Sequence, residues 1–314
     1  DLLIDILGTS EALSEYLVKN TAVLESVIAP EFWKSWPNKK YLADELVAKL
    51  LAETDYEAKL DLARHWCKEW QFRIGVHFLR SKEDAISAGA QYAELAEVTL
   101  SVLWKEVLVE FAKKYGSEPG KGAAVIAMGS LGAGTLHANS DLDLIIIFDS
   151  GSDDKSEGLK SIPSRQYYSR LTKAFITAIS APMTEGKLYE IDMRLRPSGF
   201  QGPVATSWNS YQNYQKNEAW VWEHLALTRA RGVAGNKILL GNFESFRGSF
   251  LKSYDRDNIF KELNEMRSRI SEAKSLNPWD AKVGPGRLQD IDLLSQAGCL
   301  FARSVSRSTS KGLK

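Results

Sequence analysis

The 314-residue sequence predicts an α+β fold in which a small mixed β-sheet is flanked by two large helical regions. Residues 1 to about 115 repeat apolar side chains every three or four positions, as amphipathic helices do. Two short apolar runs, AAVIAM and LDLIIIF, are bounded by turn residues and are typical of buried strands. Helical spacing returns after Gly241. We therefore expect a helical region at 1–118, a core at 119–240 and a second helical region at 241–314.

Composition narrows the class of protein. Lysine plus arginine and aspartate plus glutamate number 40 each, and this balance disfavours a dedicated nucleic-acid binder. We therefore expect no nucleic acid as partner. No apolar run reaches the length of a membrane span, so we expect no membrane as partner either. Cys67 and Cys299 lie far apart, which favours a reducing, cytoplasmic location. The chain begins with Asp1, and we expect it to be part of a longer polypeptide.

The N-terminal helical pattern is divided by residues that end helices. Pro30 and the stretch SWPNKK at 35–40 interrupt it, and Gly116 follows its last segment. In the middle of the chain, AAVIAM at 123–128 and LDLIIIF at 142–148 predict two buried strands of the small mixed sheet.

Three further segments complete the expected secondary structure. A helix is predicted over 163–180, and one or two helices over 211–231. The stretch LYEIDMRLRP at 188–197 alternates strictly between apolar and charged residues, which predicts a strand. Its charged face would carry Glu190, Asp192, Arg194 and Arg196. After Gly241 the helical pattern is broken by NPWDAKVGPG.

Three aspartates are the candidate metal ligands. Asp141 and Asp143 are two residues apart, so on a strand both side chains point to the same face. Asp192, on the polar face of the other strand, could supply a third carboxylate. Converging carboxylates repel one another unless a hard cation neutralises them, and Mg²⁺ takes oxygen ligands of this kind. A DxD pair is also found as a simple turn or cap, and that reading stays open.

A candidate phosphate site precedes these acids. Gly129 and Ser130 follow the first predicted strand, where a glycine lets the backbone approach a phosphate and a helical turn offers N–H groups to it. Arg194 and Arg196 could balance phosphate charge by forked hydrogen bonds, or could instead pair with Glu190. The glycines at 132–134 do not make a dinucleotide-binding fingerprint.

Other catalytic arrangements are not supported. His65 and His77 fall in helical segments, where packing is the common role, and His137 lies in the loop before Asp141. The sequence has no Ser-His-Asp pattern and no HExxH motif, and two scattered cysteines do not form a zinc site.

The spacing of these motifs resembles a known superfamily. Gly129-Ser130, ten intervening residues and then Asp141-Leu142-Asp143 is similar to the signature of DNA polymerase β-like nucleotidyltransferases. The segments IDMRLRPSGFQGPVATS, YQKNEAWVWEHLALTRARGVAG and KVGPGRLQDIDLL resemble the glutamine synthetase adenylyltransferase family more specifically.

The resemblance implies a reaction and a set of ligands. It implies a nucleotidyltransferase core that attaches AMP from ATP to a tyrosine of glutamine synthetase, with a PII-type signal protein as regulator. It also implies that Asp141 and Asp143 bind Mg²⁺ and that Asp192 completes the site and accepts the tyrosine proton. The Glu-Ala-Trp-x-Trp-Glu-His run at 218–224 resembles the attaching, C-terminal half of such enzymes.

Two other functions stay open. The chain could be the half that removes AMP by phosphorolysis, because both directions use the same metal site. It could also be a non-catalytic docking or regulatory module, although three retained acids argue against that. The late motif departs from the family pattern, since Arg287 replaces a glycine and Asp292 a glutamate, so roles for Asp290 and Asp292 are in doubt.

The spacing in the stretch NEAWVWEHLALTRAR also predicts one helix. Helical spacing places two sets of side chains on separate faces: Trp220, His224, Leu227 and Arg231 on one, and Glu218, Trp222, Leu225 and Arg229 on the other. Such a helix either packs with internal ion pairs or brings Arg229 or Arg231 close to the phosphates.

Overall fold

The computed structural model describes residues 2–21, 23–152, 155–255, 259–273 and 279–313. Its backbone contacts divide the chain into two compact units. The first combines Asp1–Phe111, Gly134–Asp141 and Lys173–Ile191. The second combines Ala112–Ala133, Leu142–Thr172 and Asp192–Lys314. The division into domains at 1–118, 119–240 and 241–314 stays a prediction.

The N-terminal region is helical, as the apolar spacing predicts. Its helices are α1 (Leu2–Thr9), α2 (Glu11–Lys19), α3 (Val23–Ile28), α4 (Lys39–Leu51), α5 (Tyr56–Leu79) and α6 (Ala85–Tyr115). A 3₁₀ turn at Pro30–Trp33 separates α3 from α4, where the sequence has its helix breakers. Ser10, Asn38 and Asp55 cap helices by accepting a backbone hydrogen bond three residues on.

The predicted small mixed sheet is confirmed. Its strands are β1 (Ala123–Ala127), β2 (Leu142–Phe148), β3 (Ile191–Asp192), β4 (Ala205–Ser207) and β5 (Arg231–Gly235). The order is β3-β2-β1-β5, and β4 also pairs with β2. β1 is antiparallel to both β2 and β5, whereas β4 is parallel to β2. Every residue of β1 is buried, and in β2 Asp143 is the one residue that is partly exposed.

Eight further helices lie between the strands or follow β5 in the part of the chain that the structure describes. They are α7 (Gly129–Ala133), α8 (Ser164–Ser180), α9 (Trp208–Asn217), α10 (Val221–Leu227), α11 (Lys237–Lys252), α12 (Ile259–Ala273), α13 (Leu288–Phe301) and α14 (Thr309–Gly312). Of these, α7, α9 and α11 contact strands of the sheet. The core between sheet and helices joins Ile126 and Ile145 to Tyr211, Leu227 and Phe243. The predicted break at NPWDAKVGPG lies between α12 and α13, although Asn277 and Pro278 fall outside the described residues.

The strand predicted over 188–197 is wrong beyond two residues. Only Ile191 and Asp192 pair in the sheet, and the chain then turns. The Asp192 carboxylate accepts the backbone N–H of Arg194 at 2.8 Å, a local bond that competes with strand pairing. Ser198 has a left-handed φ of 60°, which completes the change of direction. Arg194 and Arg196 therefore do not share a strand face.

The single helix interpreted in NEAWVWEHLALTRAR is also wrong. α9 ends at Asn217, and α10 covers only Val221–Leu227. The Glu223 carboxylate accepts the backbone N–H of Trp220 at 3.0 Å, so this residue caps a new helix at the point where the first has ended. Arg231 belongs to β5 and pairs with Ala127 of β1. β4 and β5, which are three and five residues long, are not predicted by the sequence pattern.

The helices also bear on the question of a membrane. Among the residues that the structure describes, no helix combines the length and the apolar character that crossing a membrane requires.

Candidate active site

Gly129 and Asp143 meet at the start of α7. Gly129 has a φ of +52°, and a Cβ atom placed on it would lie 2.2 Å from Oδ2 of Asp143. The backbone N–H of Met128 donates to the Asp143 carbonyl at 2.8 Å, which holds the end of β1 beside this aspartate. Since no side chain fits between them, glycine is required for the carboxylate to lie against the turn that leaves β1.

The short helix α7 is held from the side of β5. A Cβ atom on Gly132 would lie 2.3 Å from the carbonyl oxygen of Arg229, so the helix backbone packs directly on the chain entering β5. The Arg231 Nη2 donates to the Leu131 carbonyl at 3.1 Å. Ser130, half-buried, is thus carried on a turn whose backbone is fixed by neighbouring strands. Sequence reasoning did not find this role of Arg231, because it placed the residue in a helix.

Asp141 precedes the strand that carries Asp143. It is exposed and is the residue directly before β2. Ahead of it the loop is closed by His137 and Ser140: the His137 N–H donates to the Ser140 hydroxyl at 2.9 Å, and the Ser140 N–H donates to the His137 carbonyl at 3.1 Å. His137 therefore contributes backbone contacts to the loop that leads to Asp141.

Asp192 lies on the strand next to Asp143. β4 occupies the edge of β2 at Ile146–Phe148, so β3 lies beside the first half of β2, the half that contains Asp143. The Asp192 carboxylate accepts hydrogen bonds from the backbone N–H of Arg194 at 2.8 Å and from its Nε at 2.6 Å. Burial alone would raise the pKa of Asp192, but these bonds and the charge of Arg194 bring it below its usual range.

The two predicted phosphate-binding arginines differ in their surroundings. Arg196 is buried, and its guanidinium donates to the carbonyls of Met193, Gly202 and Phe200 at 2.9, 3.2 and 3.3 Å. It stabilises the turn that follows β3. The Arg194 side chain is 65% exposed, whereas that of Asp192 is 14% exposed, so the ion pair between them presents its arginine to solvent.

The acids of the late motif are occupied by arginines. The Arg229 Nη2 donates to Asp292 at 2.5 Å and to the Thr309 hydroxyl at 2.7 Å. The Arg267 Nε donates to Asp290 at 2.9 Å. These contacts tie the turn after α10, and also α12 and α14, to α13. Asp290 and Asp292 therefore have a structural role, in which each carboxylate holds an arginine from another segment.

The donor chemistry of the three candidate carboxylates can be compared with what magnesium requires. In the described ranges, no three or more His, Cys, Asp or Glu side chains are grouped closely enough to hold a metal ion. Magnesium is commonly bound by one or two carboxylates together with substrate phosphates, so the donor chemistry of Asp141 and Asp143 fits this ion. Asp192 fits it less directly, because its oxygens already accept hydrogen bonds from Arg194.

Comparison with known proteins identifies relatives of the whole chain. Residues 1–245 match the family described as glutamate-ammonia ligase adenylyltransferase. Proteins named bifunctional glutamine synthetase adenylyltransferase/adenylyl-removing enzyme from Brucella suis and Rhizobium meliloti are each 36% identical to it, over 303 and 306 residues. Both alignments cover 96% of this chain and 31% of the relative.

A further relative of the same name, from Agrobacterium fabrum, is 36% identical over 324 residues, which cover 100% of this chain and 33% of that protein. The chain therefore spans about a third of the length of the curated relatives it matches. Because the family match extends over 245 of 314 residues and includes the contact between Gly129 and Asp143, the chain belongs to the glutamate-ammonia ligase adenylyltransferase family.

Proposed function

We propose that this chain catalyses the metal-dependent transfer of AMP from ATP to a tyrosine of glutamine synthetase. The observation that carries the proposal is the placement of the Asp143 carboxylate against Gly129, which joins the candidate metal ligand to the candidate phosphate turn. Family membership supports the same reaction class. The names of the relatives supply the protein substrate that we propose.

In the proposed reaction the tyrosine hydroxyl oxygen attacks the α-phosphorus of ATP. The bond from that phosphorus to the oxygen bridging the β-phosphate breaks, and pyrophosphate leaves with the bond's electron pair. The phenolic proton passes to a carboxylate, for which Asp192 is our candidate. Bound Mg²⁺ would supply charge stabilisation at the phosphate oxygens, and Asp141 and Asp143 would hold it.

The remaining predicted residues receive separate parts in the proposal. Gly129 and Ser130 would contact the phosphates through the backbone and the hydroxyl. Arg194, exposed and bonded to Asp192, would exchange that carboxylate for a phosphate oxygen when ATP binds. Arg196 would support phosphate binding through the turn that it holds, because its guanidinium donates to three carbonyls.

The setting that we propose is the cytoplasm, with a PII-type signal protein as regulator. Cys67 and Cys299 are both buried and free, which suits a reducing compartment.

Removal of AMP by phosphorolysis is the second candidate function, because the names of the relatives include an adenylyl-removing activity. A docking module without catalysis is the third.

Mass spectrometry of glutamine synthetase incubated with the chain and Mg-ATP tests the proposal. We expect an AMP-modified product with the wild-type chain and its loss with Asp143→Asn. Asp149→Asn is the matched control, since Asp149 follows the same strand and forms an ion pair with Lys121 at 3.2 Å. Equal modification by wild type and Asp143→Asn would overturn the assignment.

Two further measurements separate the alternatives. If the chain removes AMP, pre-modified glutamine synthetase and phosphate would yield ADP, whereas Mg-ATP would produce no modification. If the chain is a docking module, calorimetry would detect no magnesium-dependent binding of ATP. Binding that requires magnesium and is lost in Asp141→Asn supports a catalytic site.

A further inference from the structure

A cavity of about 690 Å³ lies within the first compact unit, and the proposed AMP transfer does not use it. Its walls come from α2, α5 and α6, from Ala138 and Asn139, and from the turn at Met183–Gly186. Four charged side chains line it: Glu15, Lys19, Lys68 and Glu185. A cavity of this size holds a small metabolite rather than a single ion.

Lys68 differs from the other three charges in its partners. Glu15 lies 3.8 Å from Lys19, and Glu185 lies 3.8 Å from Nδ1 of His65. Lys68, half-buried, forms no ion pair within 4.0 Å in the part of the chain that the structure describes. Its Nζ lies over the backbone of the turn, 3.5 Å from where a Cβ atom on Gly186 would be. The cavity therefore contains an ammonium group that forms no direct ion pair among the described residues, with Glu185 as the nearby opposite charge.

The environment of Lys68 makes an anion favourable. Burial lowers the pKa of Lys68, because the charged form is incompletely hydrated, and nearby Glu185 offsets this only in part. An anion beside the ammonium would restore the lost stabilisation of the charge. The same lining contains the amide groups of Asn20, Gln71 and Asn139; Asn20 Nδ2 already donates one hydrogen to the Tyr16 carbonyl at 3.1 Å, and an amide nitrogen carries two.

The turn at Met183–Gly186, which forms the wall beside Lys68, is held by hydrogen bonds within the chain. Arg64 is fully buried and donates to the carbonyls of Ala178, Ala181 and Gly186 at 2.7, 3.1 and 3.2 Å. The backbones of Met183 and Gly186 exchange hydrogen bonds of 2.8 and 3.2 Å. Because the turn is held in place by these bonds, a ligand meets a surface that is already ordered, and its binding costs less conformational entropy.

We propose that this cavity binds a small organic or inorganic anion, bearing a carboxylate or a phosphate group, through the ammonium of Lys68. The anionic group would contact the Lys68 ammonium from the open side of the cavity, and the amides would hydrogen-bond the rest of the molecule. This site is separate from the proposed transfer of AMP, and its test measures binding alone.

Isothermal titration calorimetry of the chain with succinate and with inorganic phosphate tests the proposal. We expect at least one of the two to bind the wild-type chain, and the responding probe identifies the anionic group. Lys68→Met should weaken that binding by about tenfold or more, the loss expected when a charged hydrogen-bond donor is removed. Lys19→Met is the matched control, because Lys19 lines the same cavity but is 74% exposed, and it should leave the affinity within about threefold.

Glu185→Gln gives a result of opposite sign that a purely structural role of the cavity would not produce. Removing this negative charge should tighten anion binding several-fold. This test does not depend on whether the Lys68→Met variant folds. Thermal unfolding without ligand checks that each variant is folded. The proposal is overturned if neither anion binds, if folded Lys68→Met binds like wild type, or if Glu185→Gln weakens binding.

Discussion

Replacing Gly129 by alanine tests whether the carboxylate of Asp143 must lie against the turn after β1. The new Cβ would lie 2.2 Å from Oδ2 of Asp143. The shortest usual carbon–oxygen contact in proteins is about 3.3 Å, so the carboxylate or the turn must move by roughly 1 Å. A displacement of about 1 Å of an aligned group costs on the order of 100-fold in rate. We expect kcat/KM for AMP transfer to fall by that factor.

The same substitution also strains the backbone. Gly129 has a left-handed φ of +52°, and an alanine held there costs about 1–2 kcal/mol of folding free energy. Gly151→Ala is the matched control, because Gly151 has a φ of +55° and no atom within 4 Å of an added Cβ. It should lose similar stability in urea unfolding and keep its transfer rate.

The assay is the initial rate of AMP addition to glutamine synthetase, followed by mass spectrometry at several ATP concentrations. Backbone strain alone would lower activity equally in Gly129→Ala and Gly151→Ala. Unchanged kcat/KM in folded Gly129→Ala would refute the argument that contact with Asp143 positions the site.

Three other substitutions have expected outcomes. Arg194→Ala should destabilise the fold at pH 7 but not at low pH. The depressed pKa of Asp192 stabilises the protein above about pH 4, and this contribution is lost as the pH falls through the pKa of the folded state. Urea unfolding at several pH values measures the difference in unfolding free energy between variant and wild type, and a difference that does not change with pH contradicts the prediction. Arg64→Met should cost about 3 kcal/mol or more of unfolding free energy because buried carbonyls lose their donor, and wild-type stability would contradict this. Arg231→Leu frees the Leu131 carbonyl and should slow AMP transfer about tenfold without unfolding the chain, whereas an unchanged rate would show that α7 does not need this bond.

The elements with strong periodic patterns were predicted correctly. β1 and β2 are buried runs of branched and small apolar residues, and α4 to α6 repeat apolar positions over many turns. Such patterns indicate which face or segment of the chain is buried, and this can be predicted from the local sequence. The strand at 188–197 failed despite perfect alternation, because Asp192 and Arg196 use their side chains to turn the backbone.

The short strands could not be predicted for a related reason. β4 and β5 contain Ala205–Ser207 and Arg231–Gly235, which have little apolar periodicity of their own. They pair because β1 and β2 present free edges beside them in the folded chain. Because Arg231 is held in β5, its side chain contacts Leu131 of α7, whereas Arg229, in the turn before β5, contacts Asp292 of α13.

By itself the sequence determined the chemistry available to this protein: which carboxylates follow a Gly-Ser turn, which segments are helical and which two apolar runs are buried strands. These are properties of residue type and spacing along the chain. Only the tertiary structure decided which groups touch. It placed the Asp143 carboxylate against Gly129, paired Asp192 with Arg194 and put Lys68 in a cavity without a direct ion pair among the described residues, because contacts between distant residues depend on how the segments pack.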